Sequence, residues 1–481
     1  DYLDMLLILK VYPKIKLRFN LVPSLLEQIK DYLNPPAIKE RFLELSLKPA
    51  SSLNLEEKKF IRQHFFMINP EKVISRFPRY YELYLKNLHN FEFSLQDYLD
   101  LQVLFNLAWI DPYFRKQEPL KSLVAKARFF TEEEKFLVLE KQRQIISEII
   151  PTYKKFFEAG QIEITTTPFY HPILPLVYNT KIALEANPKV NLPKLNFSYP
   201  EDSLAQIKEG VEFIERELNI KIQGMWPSEE AVSDHILEYF IEAGINWIIT
   251  DEAILFKSLK KNKRDTELLY QAHFVKRKDK TLNLIFRDRN LSDLISFVYH
   301  GISAKEAVDN FLGHLKNINL AFKDKNPFVV VALDGENAWE YYEEDGWQFL
   351  SLLYERLSES DFIKTTTPSE YLRLNPPQSQ IKRLSSGSWI FGNLFKWIGS
   401  PKKNLAWEYL ARARKELEDI KPRPHPNKDL LFKQIYILEG SDWFWWYDEQ
   451  NPFFDELFRL HLRNFYTLLG KQPPIPFTSP L

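Results

Sequence analysis

The chain has 481 residues, which is enough for one large domain and a smaller one. Lysine and arginine (64) nearly balance aspartate and glutamate (65), which disfavours a protein held to nucleic acid mainly through phosphate contacts. The absence of cysteine excludes disulfides, thiolate metal sites and a cysteine nucleophile. The sequence contains no run of 18 apolar residues and no recognisable signal peptide, so we expect no membrane span and a cytoplasmic location.

Short runs of β-branched or aromatic residues predict seven strands. They are Lys14–Phe19, Gln161–Thr166, Lys221–Trp226, Asn246–Thr250, Leu282–Arg287, Phe328–Leu333 and Phe362–Thr366. Helical patterns separate most of them, with apolar residues recurring every three or four positions. Strands that alternate with helices are typical of parallel β/α units, so the sequence predicts an α/β fold built on a β/α barrel rather than an open sheet.

Two regions show a helical pattern with little strand signal. Residues 36–158 are almost wholly helical in pattern, and we interpret them as a helical insertion between the first two strands. Beyond residue 378 the strand signal fades, and residues 379–481 predict a C-terminal helical domain. Residues 1–378 then form the barrel domain, with the insertion inside it.

The run G-M-W-P-S-E-E-A-V-S, Gly224–Ser233, contains the first candidate catalytic group. Barrel enzymes carry their catalytic groups at the C-terminal ends of strands, and Glu229 follows a predicted strand beside Trp226. A carboxylate in this place can attack an anomeric carbon. In the alternative interpretation the run is only a helix start, capped by Ser228, with Glu229 and Glu230 complementing the helix dipole.

A second carboxylate follows the predicted strand Phe328–Leu333 in the run D-G-E-N-A-W-E-Y-Y. Asp334 stands at the strand end, Gly335 permits a sharp turn, and Glu336 is a competing acid. Asp-Gly is also a common turn signal, so the motif has a purely structural alternative. Two carboxylates on different strands of one barrel are the minimum for glycoside hydrolysis, one as nucleophile and one as acid/base.

Other polar groups also follow predicted strands. His171, between Tyr170 and Pro172, is either a donor to a sugar hydroxyl or a structural histidine. Asp251 and Glu252 follow one strand, and Asp288 and Arg289 follow another; we interpret these four as ion pairs at the barrel rim.

Several long motifs, in order along the chain, resemble glycoside hydrolase family 57, in its α-amylase or α-mannosidase-like branch. They are TTTPFYHPILPL, GMWPSEEAVS, GINWIITDE, FRDRNLSDLISFVY and DGENAWEYY, followed by GSWIFGNLFKWIGSPKKNLAWEYLARAR and EGSDWFWWYDEQNPFFDELF. The resemblance spans essentially the whole chain. It implies an incomplete seven-stranded (β/α) barrel with a C-terminal α-helical domain, and a retaining mechanism on α-glucans. It also implies that Glu229 is the nucleophile and Asp334 the acid/base.

The resemblance further implies which residues contact the sugar. The expected substrate-binding residues are His171, Trp226, Glu336, Trp389 and Trp397, with no metal and no cofactor. The expected partner is an α-glucan or oligosaccharide, and the oligomeric state is not indicated. A 4-α-glucanotransferase or branching-type transglycosylase would use the same site, because access of water to the intermediate decides between transfer and hydrolysis. A metal-dependent hydrolase is disfavoured because the nine histidines show no HxH or HxxxH pairing.

One family motif, an initial strand ending in His-Gln-Pro, has no counterpart in this sequence. We expect either that the sequence is a fragment or that the natural protein has lost the strand. The strand predicted at Lys14–Phe19 would then lack a neighbour on one side, with a gap beside Ile15–Asn20 opening onto the cleft. The missing strand also leaves open a different class of function, a non-catalytic glycan-binding protein.

Overall fold

A single seven-stranded sheet organises the main part of the molecule. The computed structural model describes residues 2–34, 40–323, 325–335, 339–420, 424–449 and 451–473. The strands are β1 (Leu17–Leu21), β2 (Ile162–Thr166), β3 (Gly224–Met225), β4 (Trp247–Asp251), β5 (His273–Arg277), β6 (Lys280–Arg287) and β7 (Ser379–Gln380). Their order is β1-β2-β3-β4-β6-β5-β7, and every neighbouring pair is parallel except the hairpin β5–β6.

Helices occupy most of the chain between and after the strands. Up to β2 they are α1 (Asp4–Leu9), α2 (Pro23–Leu33), α3 (Arg41–Leu47), α4 (Leu55–His64), α5 (Pro78–Leu88), α6 (Leu95–Ala108), α7 (Pro112–Arg115), α8 (Leu120–Lys126) and α9 (Glu132–Glu158). Between β2 and β7 they are α10 (Leu174–Tyr178), α11 (Ala183–Ala186), α12 (Pro200–Leu218), α13 (Leu237–Glu242), α14 (Glu252–Ser258), α15 (Thr266–Leu269), α16 (Arg289–Asp293), α17 (Ala304–Ala321), α18 (Trp347–Glu359) and α19 (Pro368–Leu374). After β7 come α20 (Pro401–Ile420), α21 (Lys428–Leu438), α22 (Ser441–Trp446) and α23 (Pro452–Leu468).

The predicted α/β class, with a seven-stranded sheet, a helical insertion and a C-terminal helical region, is confirmed. The insertion corresponds to α3–α9, and the C-terminal region to α20–α23. Among the described residues, no helix combines the length and the apolar character that crossing a membrane requires.

The strand predicted at Phe328–Leu333 is extended but pairs with no strand in the part of the chain described here. Its backbone bonds go elsewhere: the Val330 carbonyl accepts from the N–H of Asp288 at 2.7 Å, and the Ala332 N–H donates to the Ser292 hydroxyl at 3.1 Å. These contacts hold the segment beside the C-terminal end of β6 without a strand ladder. Asp334, which follows the segment directly, therefore still lies on the strand-end side of the sheet.

The segment predicted as a strand at Phe362–Thr366 is likewise not a strand. It contacts the residues before β1 through a side-chain hydroxyl instead of a ladder of backbone hydrogen bonds. The Thr365 hydroxyl accepts the backbone N–H of Lys16 at 2.9 Å, and the Lys16 ammonium reaches Glu370 at 2.7 Å. Strand β1 pairs with β2 from Leu17 to Leu21, so it is one end of the described sheet and β7 is the other.

The described residues form two large hydrophobic cores and a small third one that includes Trp226 and Trp247. The larger core surrounds the sheet and the insertion, and it includes Ile381 and Leu384. The second core begins at Leu394 in the C-terminal region and also takes in residues from the loop and helices after β2. The chain changes core between Leu384 and Leu394, and the domain boundary at 378 stays a prediction.

Candidate active site

The two glutamates after β3 lie in a strained turn. Residues Ser228–Glu230 form a single 3-10 turn in which Glu229 (φ 58°) and Glu230 (φ 52°) both adopt the left-handed conformation. That conformation costs an L-residue roughly 1–2 kcal/mol. The turn is held by a 2.7 Å bond from the Glu230 N–H to Pro227 and by the Thr250 hydroxyl, which donates to the Glu230 carbonyl at 2.8 Å. The helix-start interpretation is wrong, because α13 begins only at Leu237.

Trp389 holds Glu229 at two points. Its indole Nε1–H donates to Oε2 of Glu229 at 2.8 Å, and its backbone N–H donates to the Glu229 carbonyl at 3.2 Å. Trp389 comes from the loop after β7, which is joined to the strand-end turn by paired backbone bonds between Val232 and Gly387. A Cβ on Gly387 would lie 2.4 Å from the Gly392 carbonyl oxygen, so this approach requires glycine. The loop therefore fixes one carboxylate oxygen of Glu229.

Two arginines stack on the tryptophans beside Glu229. The Arg287 guanidinium lies 4.9 Å from the centroid of the Trp389 ring, and the Arg18 guanidinium lies 4.7 Å from that of Trp226. The two indoles meet edge to face at 5.4 Å. Trp226 is only 7% exposed and supports Trp389 through this edge-to-face contact, and its predicted contact with sugar stays a prediction.

Asp334 follows the extended segment beside β6 and is exposed. The negative charges of Asp442 and Asp334 both act on His171, but burial is the larger effect and lowers the pKa of His171 below its usual value. The His171 ring contacts the Ser441 hydroxyl at 2.9 Å through Nδ1, and the Ser441 N–H donates to the His171 carbonyl at 3.1 Å. His171 therefore joins the loop after β2 to α22, within reach of the charge of Asp334.

The remaining predicted contacts fall outside the site or outside the described residues. Trp397 is fully buried in the second core, where its ring packs against Trp445 at 5.7 Å, so its predicted sugar contact is corrected to a core role. Glu336 lies outside the described residues.

The predicted ion pairs at the strand ends are confirmed. Asp251 pairs with Arg287 at 3.0 Å and with Arg289. On the neighbouring loop, Arg264 bridges Glu252 at 3.0 Å and Asp288 at 2.8 Å. These pairs form a charged layer at the strand ends, and Arg287 connects this layer to the ring of Trp389.

Glu230 and Arg18 also belong to this charged layer, and the sequence did not predict a role for either. Glu230 is fully buried, and burial is the main cause that raises its pKa to about 8. Burial lowers the pKa of Arg18 to about 10, and the carboxyls of Glu230 and Glu163 oppose that effect. The only feature of the sequence that could have indicated a role for Glu230 is its place directly after Glu229, as a second acid. Within the described residues, no group of three or more metal-ligating side chains is assembled.

Comparisons with solved structures identify the fold. The branching enzyme of Pyrococcus horikoshii superposes with a TM-score of 0.63 at 16% identity, covering 97% of this chain and 83% of that one. An α-amylase of Thermotoga maritima superposes with a TM-score of 0.56 at 15% identity, covering 95% of this chain and 93% of that one. At these identities the likeness concerns the fold alone.

Sequence comparisons match this chain to parts of longer curated proteins at low identity. Alpha-amylase 1 of Dictyoglomus thermophilum is 23% identical over 292 residues, which are 60% of this chain and 35% of that protein. The 4-alpha-glucanotransferase of Thermococcus kodakarensis is 24% identical over 250 residues, which are 51% of this chain and 32% of that protein. The chain spans about a third of the length of these curated relatives.

A family model that matches most of the chain identifies the family. The model of glycosyl hydrolase family 57 matches residues 1–383, a range that contains Glu229, Asp334 and all seven strands of the sheet. The resemblance drawn from the motifs is thereby confirmed. The chain belongs to glycosyl hydrolase family 57, a family of enzymes of the glycoside hydrolase type.

Proposed function

We propose that this chain hydrolyses α-glycosidic bonds in α-linked glucans by a retaining mechanism, with Glu229 as nucleophile and Asp334 as acid/base. The observation that carries the proposal is the two-point contact of Trp389 with Glu229 in a strained strand-end turn. Strain of this kind persists only where surrounding structure imposes it, and it is concentrated at functional sites. Membership of the family and the α-amylases among the relatives support the reaction class.

The chemistry follows from the two carboxyl groups. Protonated Asp334 donates its proton to the glycosidic oxygen while the carboxylate of Glu229 attacks the anomeric carbon, so the leaving sugar departs as an alcohol. Asp334, now ionised, takes a proton from water, and the resulting hydroxyl attacks the anomeric carbon and releases Glu229. The indole N–H of Trp389 leaves the carboxylate little freedom to rotate, which holds it in a near-attack orientation.

Replacement of the nucleophile tests the proposal. Glu229→Gln should lower kcat on maltooligosaccharides by about 10³-fold or more, because the glycosyl-enzyme can no longer form. Glu229→Ala with added azide should recover part of the turnover and give a glycosyl azide of inverted configuration. The matched control is Glu359→Gln, a change to an exposed carboxylate on α18, which should keep normal kinetics. Wild-type-like turnover by Glu229→Gln would overturn the assignment.

Transglycosylation is the second candidate reaction, and one surface feature favours it. Phe391, two residues after Trp389, is 78% exposed although its φ of 54° is strained, and its ring stacks on that of Phe395. Exposed aromatic rings in the loop that carries Trp389 would stack an acceptor sugar, which would then compete with water. Relatives named 4-alpha-glucanotransferase and branching enzyme are compatible with this reaction.

Product analysis separates the two reactions. Hydrolysis of maltopentaose releases one new reducing end per bond cleaved, whereas transfer redistributes chain lengths without a net gain of reducing ends. A catalytically silent glycan-binding protein would bind the oligosaccharide and give neither product. Wild-type protein incubated with maltopentaose and followed by chromatography and a reducing-end assay distinguishes all three outcomes.

A further inference from the structure

The side chain of Glu230 lies in an environment that does not suit a charged carboxyl. It is fully buried, and neither carboxyl oxygen has a hydrogen-bond partner among the described residues. The nearest basic atom is Nε of Arg287, at 4.0 Å, which is beyond hydrogen-bond distance. A buried carboxylate without donors is strongly destabilised, whereas the neutral acid is tolerated. Burial accordingly raises the pKa of Glu230 to about 8.

Charged groups from four elements act on Glu230. Arg287 of β6, Arg18 of β1 and Arg289 of α16 favour its ionisation, and Asp251 of β4 opposes it. The balance of these charges is weaker than the effect of burial, which is the largest contribution to the pKa. At neutral pH the acid is therefore mostly uncharged.

Each nitrogen of Arg287 already donates a hydrogen bond to a group other than Glu230. Its Nε donates to Asp251 at 3.0 Å, its Nη1 to the Ala332 carbonyl at 3.0 Å, and its Nη2 to Asp293 at 3.1 Å. These three bonds hold the guanidinium over the ring of Trp389. An ionised Glu230 would attract Nε away from Asp251 across the 4.0 Å gap and tilt the guanidinium off the ring.

We propose that Glu230 is a positioning residue that must stay in its neutral acid form, because only then does Arg287 remain stacked on Trp389 and Trp389 keep Glu229 in place. The proposal rests on the proposed role of Glu229 as nucleophile. It defines a chain of contacts from Glu230 through Arg287 and Trp389 to the reacting carboxylate. The enzyme should consequently lose activity when Glu230 ionises, independently of the proton on Asp334.

The kinetic test uses α-maltosyl fluoride, because fluoride leaves without protonation and the protonation of Asp334 then drops out of kcat/KM. Wild-type kcat/KM should fall about 10-fold as the pH rises through about 8, the value at which Glu230 ionises. Glu230→Gln, and Glu230→Met as a second neutral variant should the first not fold, should remove this decline. Glu439→Gln is the matched control: it also removes a buried acid of raised pKa, but in the helical region, and should keep the wild-type decline.

A second measurement, which does not depend on catalysis, reports directly on the surroundings of Trp389. In protein labelled with 5-fluorotryptophan, the ¹⁹F resonance of Trp389, assigned with Trp389→Phe, should shift through about pH 8 in the wild type and stay constant in Glu230→Gln. A resonance and an alkaline decline that titrate identically in wild type and Glu230→Gln would overturn the proposal. If Glu229→Gln abolishes activity while the Glu230 variants behave as wild type, only the positioning role fails; if Glu229→Gln remains active, the proposed function fails.

Discussion

At the scale of single residues, the site depends on one indole. Trp389 combines a charge-assisted hydrogen bond to Glu229 with a face that is covered by Arg287. Hydrogen bonds to charged groups contribute about 1.5–3 kcal/mol, more than a bond between neutral groups. The orientation of Glu229, the proposed nucleophile, should therefore respond to the indole nitrogen separately from the ring.

The substitution Trp389→Phe tests the contribution of the indole N–H alone. The variant keeps an aromatic ring for Arg287 but removes the N–H, so kcat should fall about 10- to 100-fold, in line with the loss of about 1.5–3 kcal/mol. The melting temperature should change little, because Trp389 is only partly buried. Steady-state kinetics on a maltooligosaccharide and calorimetry on the same preparation check both statements. A reduced melting temperature together with unchanged kcat would show that the indole is merely structural.

At the scale of elements, the loop after β7 delivers Trp389 through a close backbone approach. Gly387 has φ 155°, and the space for its Cβ is occupied by the Gly392 carbonyl oxygen. Gly313, in contrast, lies in α17 and has open space around the position of a Cβ. The two glycines therefore form a natural pair for substitution.

Gly387→Ala should displace the loop, lower the melting temperature and reduce kcat strongly. Gly313→Ala should instead stabilise the protein by up to about 1 kcal/mol, because alanine restricts the unfolded chain and favours the helix. Thermal unfolding and activity of the two variants, measured side by side, provide the check. Equal behaviour of both would contradict the close approach at Gly387.

At the scale of the whole molecule, a second buried acid joins the two cores. Glu439, at the end of α21, accepts a bond from Gln206 of α12 at 2.6 Å, while Asp202 of α12 pairs with the buried Arg414 of α20. Burial, followed by the charge of Asp202, raises the pKa of Glu439 well above its usual value. The contact between the two cores therefore contains an acid whose pKa is higher in the folded chain than in the unfolded chain.

This acid makes stability depend on pH. Because the folded pKa exceeds the unfolded value of about 4.3, the folded state binds the extra proton, and its stabilising effect is present below pH 4.3 and is lost as the pH rises towards the folded pKa. Glu439→Gln should then gain in melting temperature relative to wild type as the pH rises above the unfolded value of about 4.3. Calorimetry at several pH values tests this, and a difference that is constant with pH would contradict it.

The sequence by itself determined the class of fold, the family and the two candidate carboxylates. Apolar periodicity and strand-end motifs are local properties of the chain, so they locate β2, β4 and β6 and the residues that follow them. The hairpin strand β5 was missed because its turn carries Lys278 in the left-handed conformation instead of a glycine or asparagine. The extended segment before Asp334 was predicted as a strand because its composition does not reveal that its partners are a loop and side chains.

Only the tertiary structure decided how the site is assembled. The contact between Trp389 and Glu229 joins residues 160 positions apart, and no local pattern encodes it. The sequence predicts the same role for Trp389 and Trp397, yet Trp389 donates a hydrogen bond to Glu229 and Trp397 is buried in the second core. Glu229 and Glu230 are adjacent and chemically identical, but a strained turn sends the second into a buried position beside Arg287. Side-chain burial and charge environment are set by elements distant in sequence, so they exist only once the chain has folded.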